Sequence, residues 1–234
     1  MATGDQLLEL AGKHVGERYV YGAISPKNNA NWRGPWDCAE FASWLVYQVR
    51  QELYGCDNDA GDPALADAYA GYWMRDVRAK GKEISLAEAA ATPGAAVLRH
   101  SAGLGHIVIS DGNGGTVEAH STRAGVIRGT LANRRWDAAV LVPGIEYSPR
   151  PIPDIPGPTV TIYRLNEPRM SDDTVLQIQA ALKMNGLEPG DLDGIYGPIT
   201  AAAVTAYQAT RGLAVDGEVG PKTAHGLDIT LPQA

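Results

Sequence analysis

Cys38 and His106 are the residues whose surroundings point to covalent chemistry. The cysteine opens the run Asp37-Cys38-Ala39-Glu40-Phe41, and Phe41, Ala42, Leu45 and Val49 follow at helical spacing. The thiol is therefore expected in the first turn of a helix, with Asp37 as the N-cap. Unpaired backbone N–H groups and the positive end of the helix dipole favour the thiolate there, which is the nucleophilic form, while Asp37 opposes that trend. A histidine partner then matters. His106 begins the alternating run Gly105-His106-Ile107-Val108-Ile109, a strand pattern, and a second strand-like run from Thr116 to His120 follows the turn Asp111-Gly112-Asn113-Gly114-Gly115. A loop over 112–114 sets His106 opposite His120, and sets Glu118 opposite Val108 and diagonal to His106. Both are candidates to orient the imidazole through its second nitrogen. Alternate residues along a strand lie about 6.6 Å apart, so only one of the two makes that hydrogen bond directly.

Elements that would carry these residues are visible around them. A helix is expected from about Asp5 to Gly16 with Leu7, Leu8, Ala11 and Val15 on one stripe, another from Cys38 to about residue 53, and a third from Ala64 to Arg78 with Leu65, Ala68, Tyr69, Tyr72 and Trp73. Strands are expected at Ala96 to Leu98, His106 to Ser110, Thr116 to His120 and Ala138 to Val142. Helices first and strands afterwards indicate an α+β domain. Only two cysteines are present, Cys38 and Cys56. A helix between them separates their Cα atoms by over ~20 Å, too far for a disulfide, so two free thiols are expected and Cys56 reads as incidental.

The 234 residues, 44% hydrophobic, suffice for one medium and one small core. A net charge of -7 argues against nucleic acid as the main partner. No run approaches the roughly 18 apolar residues of a membrane span, so no membrane insertion is expected. The start Met1-Ala-Thr-Gly-Asp-Gln lacks a basic stretch followed by an apolar run, which predicts synthesis in the cytoplasm without an export signal. No Cys-x-x-Cys or His-Glu-x-x-His spacing is present, so neither a metal nor another cofactor is expected. A monomer is expected.

Tyr19-Val20-Tyr21-Gly22, Asp37-Cys38-Ala39-Glu40-Phe41, Pro93-Gly94 ahead of a strand, Gly105-His106-Ile-Val-Ile, and Val117-Glu118-Ala119 occur in an order that resembles the NlpC-type cell-wall cysteine peptidases over residues 5 to 143. The resemblance implies a papain-like α+β fold with a helix-borne cysteine packed on an antiparallel sheet. It also implies hydrolysis of peptidoglycan stem peptides, often between D-glutamate and diaminopimelate. By that match Cys38 is the nucleophile, His106 the general base and Tyr19 a residue on the oxyanion side, and the third member follows the histidine by twelve positions, at Glu118. Ala39 and Glu40 stand where Ser-Gly is commoner, Ala23 stands for a second Gly, and Ala95 for an Asp. An amidase of the same fold, cutting between muramic acid and L-alanine, and a non-catalytic wall-binding or tail protein are the alternatives. Such an enzyme would be a phage-released lysin, a tail component or a secreted effector.

Asp193-Gly194-Ile-Tyr-Gly197-Pro198-Ile-Thr200-Ala201 recurs 23 positions later as Asp216-Gly217-Glu-Val-Gly220-Pro221-Lys-Thr223-Ala224. Each copy predicts a glycine-dependent turn feeding a helix start. The preceding helices carry Val175, Ile178 and Leu182, then Ala203, Val204 and Tyr207, with Gly212 placed to end the second. Residues 172 to 228 resemble the peptidoglycan-binding domain of bacterial and phage cell-wall enzymes, which implies a small all-α bundle, with Tyr196, Tyr207 and Gln208 as candidate wall contacts. Three segments follow: a peptidase domain over 1–143, a proline-rich linker over 144–171 and a wall-binding domain over 172–234. The linker contains Thr159-Val-Thr-Ile-Tyr163, whose strand composition also fits a passage packed on the first domain.

Overall fold

Thr3 opens the first helix, α1 (Gly4–Gly12), by accepting from the Gln6 N–H while the Gln6 side chain accepts from the Thr3 N–H. It ends at Lys13, short of the expected Gly16, so Val15 falls outside it and is 42% exposed. α2 (Cys38–Arg50) starts at Asp37, whose carboxylate accepts from the Ala39 N–H at 2.9 Å, and stops where Gln51 turns left-handed. α3 (Ala70–Ala79) begins six residues later than the Ala64 expected from periodicity. The cause is tertiary: Ala68 bridges to Cys56 and gives its N–H to Glu40, which draws the chain into an extended path and leaves Leu65 exposed.

The structure, a computed structural model, describes residues 1–100, 105–152 and 160–233, and its contacts divide these into two units. In the first unit, β1 (Lys82–Ile84), α4 (Leu86–Ala90), β2 (Ala96–Arg99), β3 (His106–Ser110), β4 (Gly115–Ser121), β5 (Gly125–Thr130) and β6 (Ala138–Leu141) follow α3. The strands form one antiparallel sheet in the order β1-β6-β2-β3-β4-β5. The sequence reading had not anticipated β1, α4 or β5. Alternation along the strands divides the apolar residues between two cores. Leu98, Ile107, Ile109, Val117, Ala119 and Val126 join Leu7, Ala11, Phe41, Trp44 and Leu45 of α1 and α2. Val97, Val108 and Ala139 pack with Leu131 and with Ala89 and Ala90 of α4. Full burial of each Leu, Ile, Val or Phe contributes about 1.5–3 kcal/mol, so α2 is fixed to the sheet by its core stripe rather than by its capping residue.

The second unit holds α5 (Asp173–Met184), α6 (Pro198–Arg211) and α7 (Pro221–Gly226), and α6 ends at Gly212 with φ 64°. Each Asp-Gly turn is closed by a buried glutamine. Gln179 Nε2 donates to Asp193 Oδ1, Ile195 O and Thr200 Oγ1, and its oxygen accepts from the Gly194 N–H. Gln208 repeats that pattern with Asp216, Glu218 O and Thr223, and accepts from the Asp216 and Gly217 N–H groups.

The segment expected as a linker over 144–171 belongs to the two units at its ends. Ile145 is buried, Glu146 exchanges backbone hydrogen bonds with Ala2 and Gly4, and the Tyr147 hydroxyl accepts from the Val142 N–H, all in the first unit. Val160, Tyr163 and Ser171 bridge to Gln233, Val219 and Ile195 in the second. The alternative of a strand passage on the first domain fails for the same reason at Val160 and Tyr163. Prolines carry no donor but do not prevent packing, and Ile145, Tyr147, Ile162 and Tyr163 supply the apolar area that composition alone obscured. Pro153, Pro156, Pro158 and Thr159 lie outside the described residues.

Candidate active site

Cys38 is the first residue of α2 and is 6% exposed. Its thiol donates to the Gly105 carbonyl at 3.8 Å, which brings it to the residue preceding His106. Gly105 lets the chain pass close to α3, since a Cβ there would lie 2.3 Å from the Ala70 Cβ. Among the described residues Sγ has no hydrogen bond to His106. Burial and the adjacent Asp37 carboxylate push the thiol well up, and the N–H groups of Ile107 and Ala39 only partly offset them. Burial thus opposes the preference of the helix start for the thiolate and adds to the effect of Asp37.

His106 Nε2 donates to Glu118 Oε2 at 2.6 Å, with both side chains almost fully buried. The neutral ring then carries its lone pair on Nδ1, the nitrogen available to take a proton. Burial pushes His106 down to about 4, against the pull of Glu118, and the charges of Arg134 and Arg99 act in the same direction as burial. Arg99 is the cross-strand partner of His106. Burial disfavours ionised Glu118, yet His106 and Arg134 together hold it well below the usual carboxylate range.

The hairpin register matches the expectation at its turn end: Ile109 pairs with Val117 and Ser110 with Thr116, and the Asp111 N–H donates to Gly115 O. His120 approaches His106 edge-on at 6.0 Å between ring centroids and places Nδ1 at 3.1 Å from Ser121 Oγ. The imidazole thus takes the diagonal carboxylate rather than the opposing ring. Three further groups hold that carboxylate and were not read from the sequence. Thr116 Oγ1 donates to Oε1 at 2.8 Å, Arg134 donates to both oxygens, and Gly129 leaves the space they need.

Tyr19 sits beside the thiol. It is 8% exposed on a segment bridged to Trp36, and burial together with Cys38 and Asp37 pushes its hydroxyl far up, so it stays a neutral phenol. Asp37 also accepts from the Gly22 N–H at 3.2 Å, tying that segment to the helix start. Glu40, the departure noted in the cysteine motif, is a buried brace. It accepts from Lys27 Nζ at 2.6 Å, from the Ser25 N–H and hydroxyl, and from the Ala68 N–H. Cys56 is fully buried, a free thiol donating to Tyr54 O at 3.8 Å.

The candidate wall contacts are not surface groups. Tyr196, Tyr207 and Gln208 are at most 1% exposed. Tyr196 donates to Gly217 O and Tyr207 to Gly226 O, while Gln208 closes its turn. Their polar atoms are used inside the bundle.

Comparison with known proteins bears on both units. The chain is 41% identical over 68 residues to a Bacillus licheniformis protein named "Probable N-acetylmuramoyl-L-alanine amidase", covering 26% of this chain and 19% of that one. It is 42% identical over 57 residues to a Bacillus cereus "Spore cortex-lytic enzyme", covering 24% and 22%. The chain thus spans about a fifth of the length of these curated relatives. The NlpC/p60 domain of the peptidoglycan hydrolase SagA is 22% identical with a TM-score of 0.43, covering 60% of this chain and all of that one. The first unit has the layout expected from its motifs, a helix-borne cysteine packed on an antiparallel sheet. Residues 171–225, within the second unit, match the family described as "Putative peptidoglycan binding domain".

Proposed function

We propose that this chain is a peptidoglycan hydrolase that cleaves stem peptides by thiol catalysis, with the second unit binding the wall. The observation that carries the reading is the buried His106–Glu118 pair at 2.6 Å beside a thiol at the start of α2. The family match over 171–225 supports the substrate class. In the reaction, Cys38 leaves the Gly105 carbonyl and passes its proton to His106 Nδ1 as sulfur attacks the stem-peptide carbonyl. Backbone N–H groups at the start of α2, with Tyr19 at their side, stabilise the oxyanion. His106 then gives the proton to the leaving amine, and a water, deprotonated by His106, releases the acyl group and restores the thiol. Because burial disfavours a free thiolate, proton transfer accompanies attack. A tethered binding unit raises the local concentration of an insoluble substrate without changing the chemistry.

Within that reading, the bond is the one between D-glutamate and diaminopimelate, as the motif resemblance implies. The relatives named as N-acetylmuramoyl-L-alanine amidases favour a second reading, cleavage between muramic acid and L-alanine. Mass spectrometry of fragments released from purified peptidoglycan separates them. The first reading gives new amino termini on diaminopimelate, and the second frees intact stem peptides beginning with L-alanine. Cys38→Ala should release neither while still sedimenting with walls, and Cys56→Ala should behave as the parent. Release by Cys38→Ala refutes the thiol mechanism, and no release by the parent leaves a wall-binding protein.

A further inference from the structure

Glu118 is saturated. His106 Nε2 and Arg134 Nη2 donate to Oε2 at 2.6 and 2.9 Å, and Thr116 Oγ1 and Arg134 Nη1 donate to Oε1 at 2.8 and 2.6 Å. The two arginine nitrogens form a fork that fixes the plane of the carboxylate as well as its place. Arg134 is itself clamped. It donates to Thr130 O at 3.2 Å and lies over the Trp136 ring at 4.5 Å, and Trp136 Nε1 is tied to Leu131 O. Gly129 completes the cradle: a Cβ there would stand 2.3 Å from Glu118 Oε1 and 2.8 Å from Thr116 Oγ1. Strand β5 and the loop after it are thus shaped around one carboxylate.

We propose that Arg134 is a positioning residue of the site, whose fork holds Glu118 on the His106 ring and sets the charge that the ring experiences. The inference rests on the reading of His106 as the base. A lone buried Glu118 would favour an imidazolium, whereas a Glu118 whose charge is already matched by Arg134 leaves the ring neutral and able to accept a proton. Among the described residues, the ionisable groups around His106 are Glu118 and His120 from β4, Arg99 from β2, Cys38 from α2 and Arg134 from the loop after β5. Glu118 alone among them favours the charged ring strongly, and Arg134 is the group placed to cancel it.

The test titrates His106 by NMR in the full chain labelled at histidine, alongside the pH profile of kcat/KM on muropeptides. The parent should titrate near 4. Arg134→Gln should raise that midpoint by about 1 pH unit or more and move the acid limb of the profile with it. Arg134→Lys keeps the charge but loses the fork, so its midpoint should stay with the parent while kcat falls about tenfold. A folded Arg134→Gln whose His106 midpoint is unchanged overturns the proposal. If that variant does not fold, an Arg134→Lys with parental kcat overturns it instead. The NMR arm needs no turnover, so a parent without muropeptide cleavage defeats the hydrolase reading and leaves the Arg134 result standing.

Discussion

Replacing Lys27 by methionine isolates the cost of one unpaired charge in the core. Lys27 is fully buried, Glu40 nearly so, and the pair is closed by the Ser25 and Ala68 donors and by Lys27 Nζ donating to Ala66 O at 2.5 Å. Removing the cation leaves the carboxylate inside with its other donors but no counter-charge, a change that typically costs about 3–5 kcal/mol. That is a large part of the roughly 5–15 kcal/mol that holds a domain together. With a urea dependence of about 2 kcal/mol per molar, the unfolding midpoint should fall by about 1.5–2.5 M. Tryptophan fluorescence reads this unit alone, because all five tryptophans lie in it. Adding Glu40→Gln removes the orphaned charge and keeps one oxygen for the Ser25 donors; the Ala68 N–H loses its acceptor, a smaller cost of about 1–3 kcal/mol, so the double variant should still be more stable than Lys27→Met. The exposed Lys13–Glu9 pair supplies the control, and Lys13→Ala should leave the midpoint where it is. A Lys27→Met midpoint within about 0.5 M of the parent, or a double variant less stable than the single, refutes this account of the brace.

Glu118→Gln should lower muropeptide turnover by about 100-fold and His120→Gln by less than about threefold, both measured on one substrate with folding checked by near-UV circular dichroism; the reverse order would make His120 the orienting group. Stability should rise with pH between about 4 and 6.5, since His106 is depressed in the folded chain and the unfolded chain binds the extra proton across that window. Glu118, also depressed, adds a loss below its ordinary value, so acid unfolding followed by fluorescence should steepen below pH 4.5. Gln208→Ala strands the Asp216 and Gly217 N–H groups and should cost about 2–4 kcal/mol in the second unit, with wall sedimentation falling in step with the helical signal.

Most of the fold was legible where a single period governs a segment. The stripe after Cys38 and the alternation from His106 to Ser110 each point at one core, and the structure places them there. Boundaries failed where a distant group competes for the backbone. Ala64–Tyr69 has helical periodicity, but Glu40 takes the Ala68 N–H and Cys56 pairs with Ala68, so the helix waits until Ala70. The expected wall contacts Tyr196, Tyr207 and Gln208 are buried for a related reason: each spends its polar atoms on groups within the bundle, a requirement that composition does not reveal.

In the candidate site, register alone pointed to His120 and motif spacing to Glu118, and both readings of the hairpin were geometrically sound. What separates them comes from elsewhere in the chain. A ring opposite another ring gains an edge contact, whereas a carboxylate one step along the diagonal gains Thr116, Arg134 and the space at Gly129, and so can remain ionised out of water. Thr116 lies two residues before Glu118 on the same strand, but Gly129 and Arg134 come from β5 and the loop after it, which the sequence pattern does not announce. The same dependence acts on the thiol: capping, dipole and Asp37 are local and readable, but the desolvation that pushes the thiol up is a property of α2 packed on the assembled sheet. Residue types and order disclose which groups can react, while their resting charges are set by burial and by partners such as Arg134 that only the folded chain brings near.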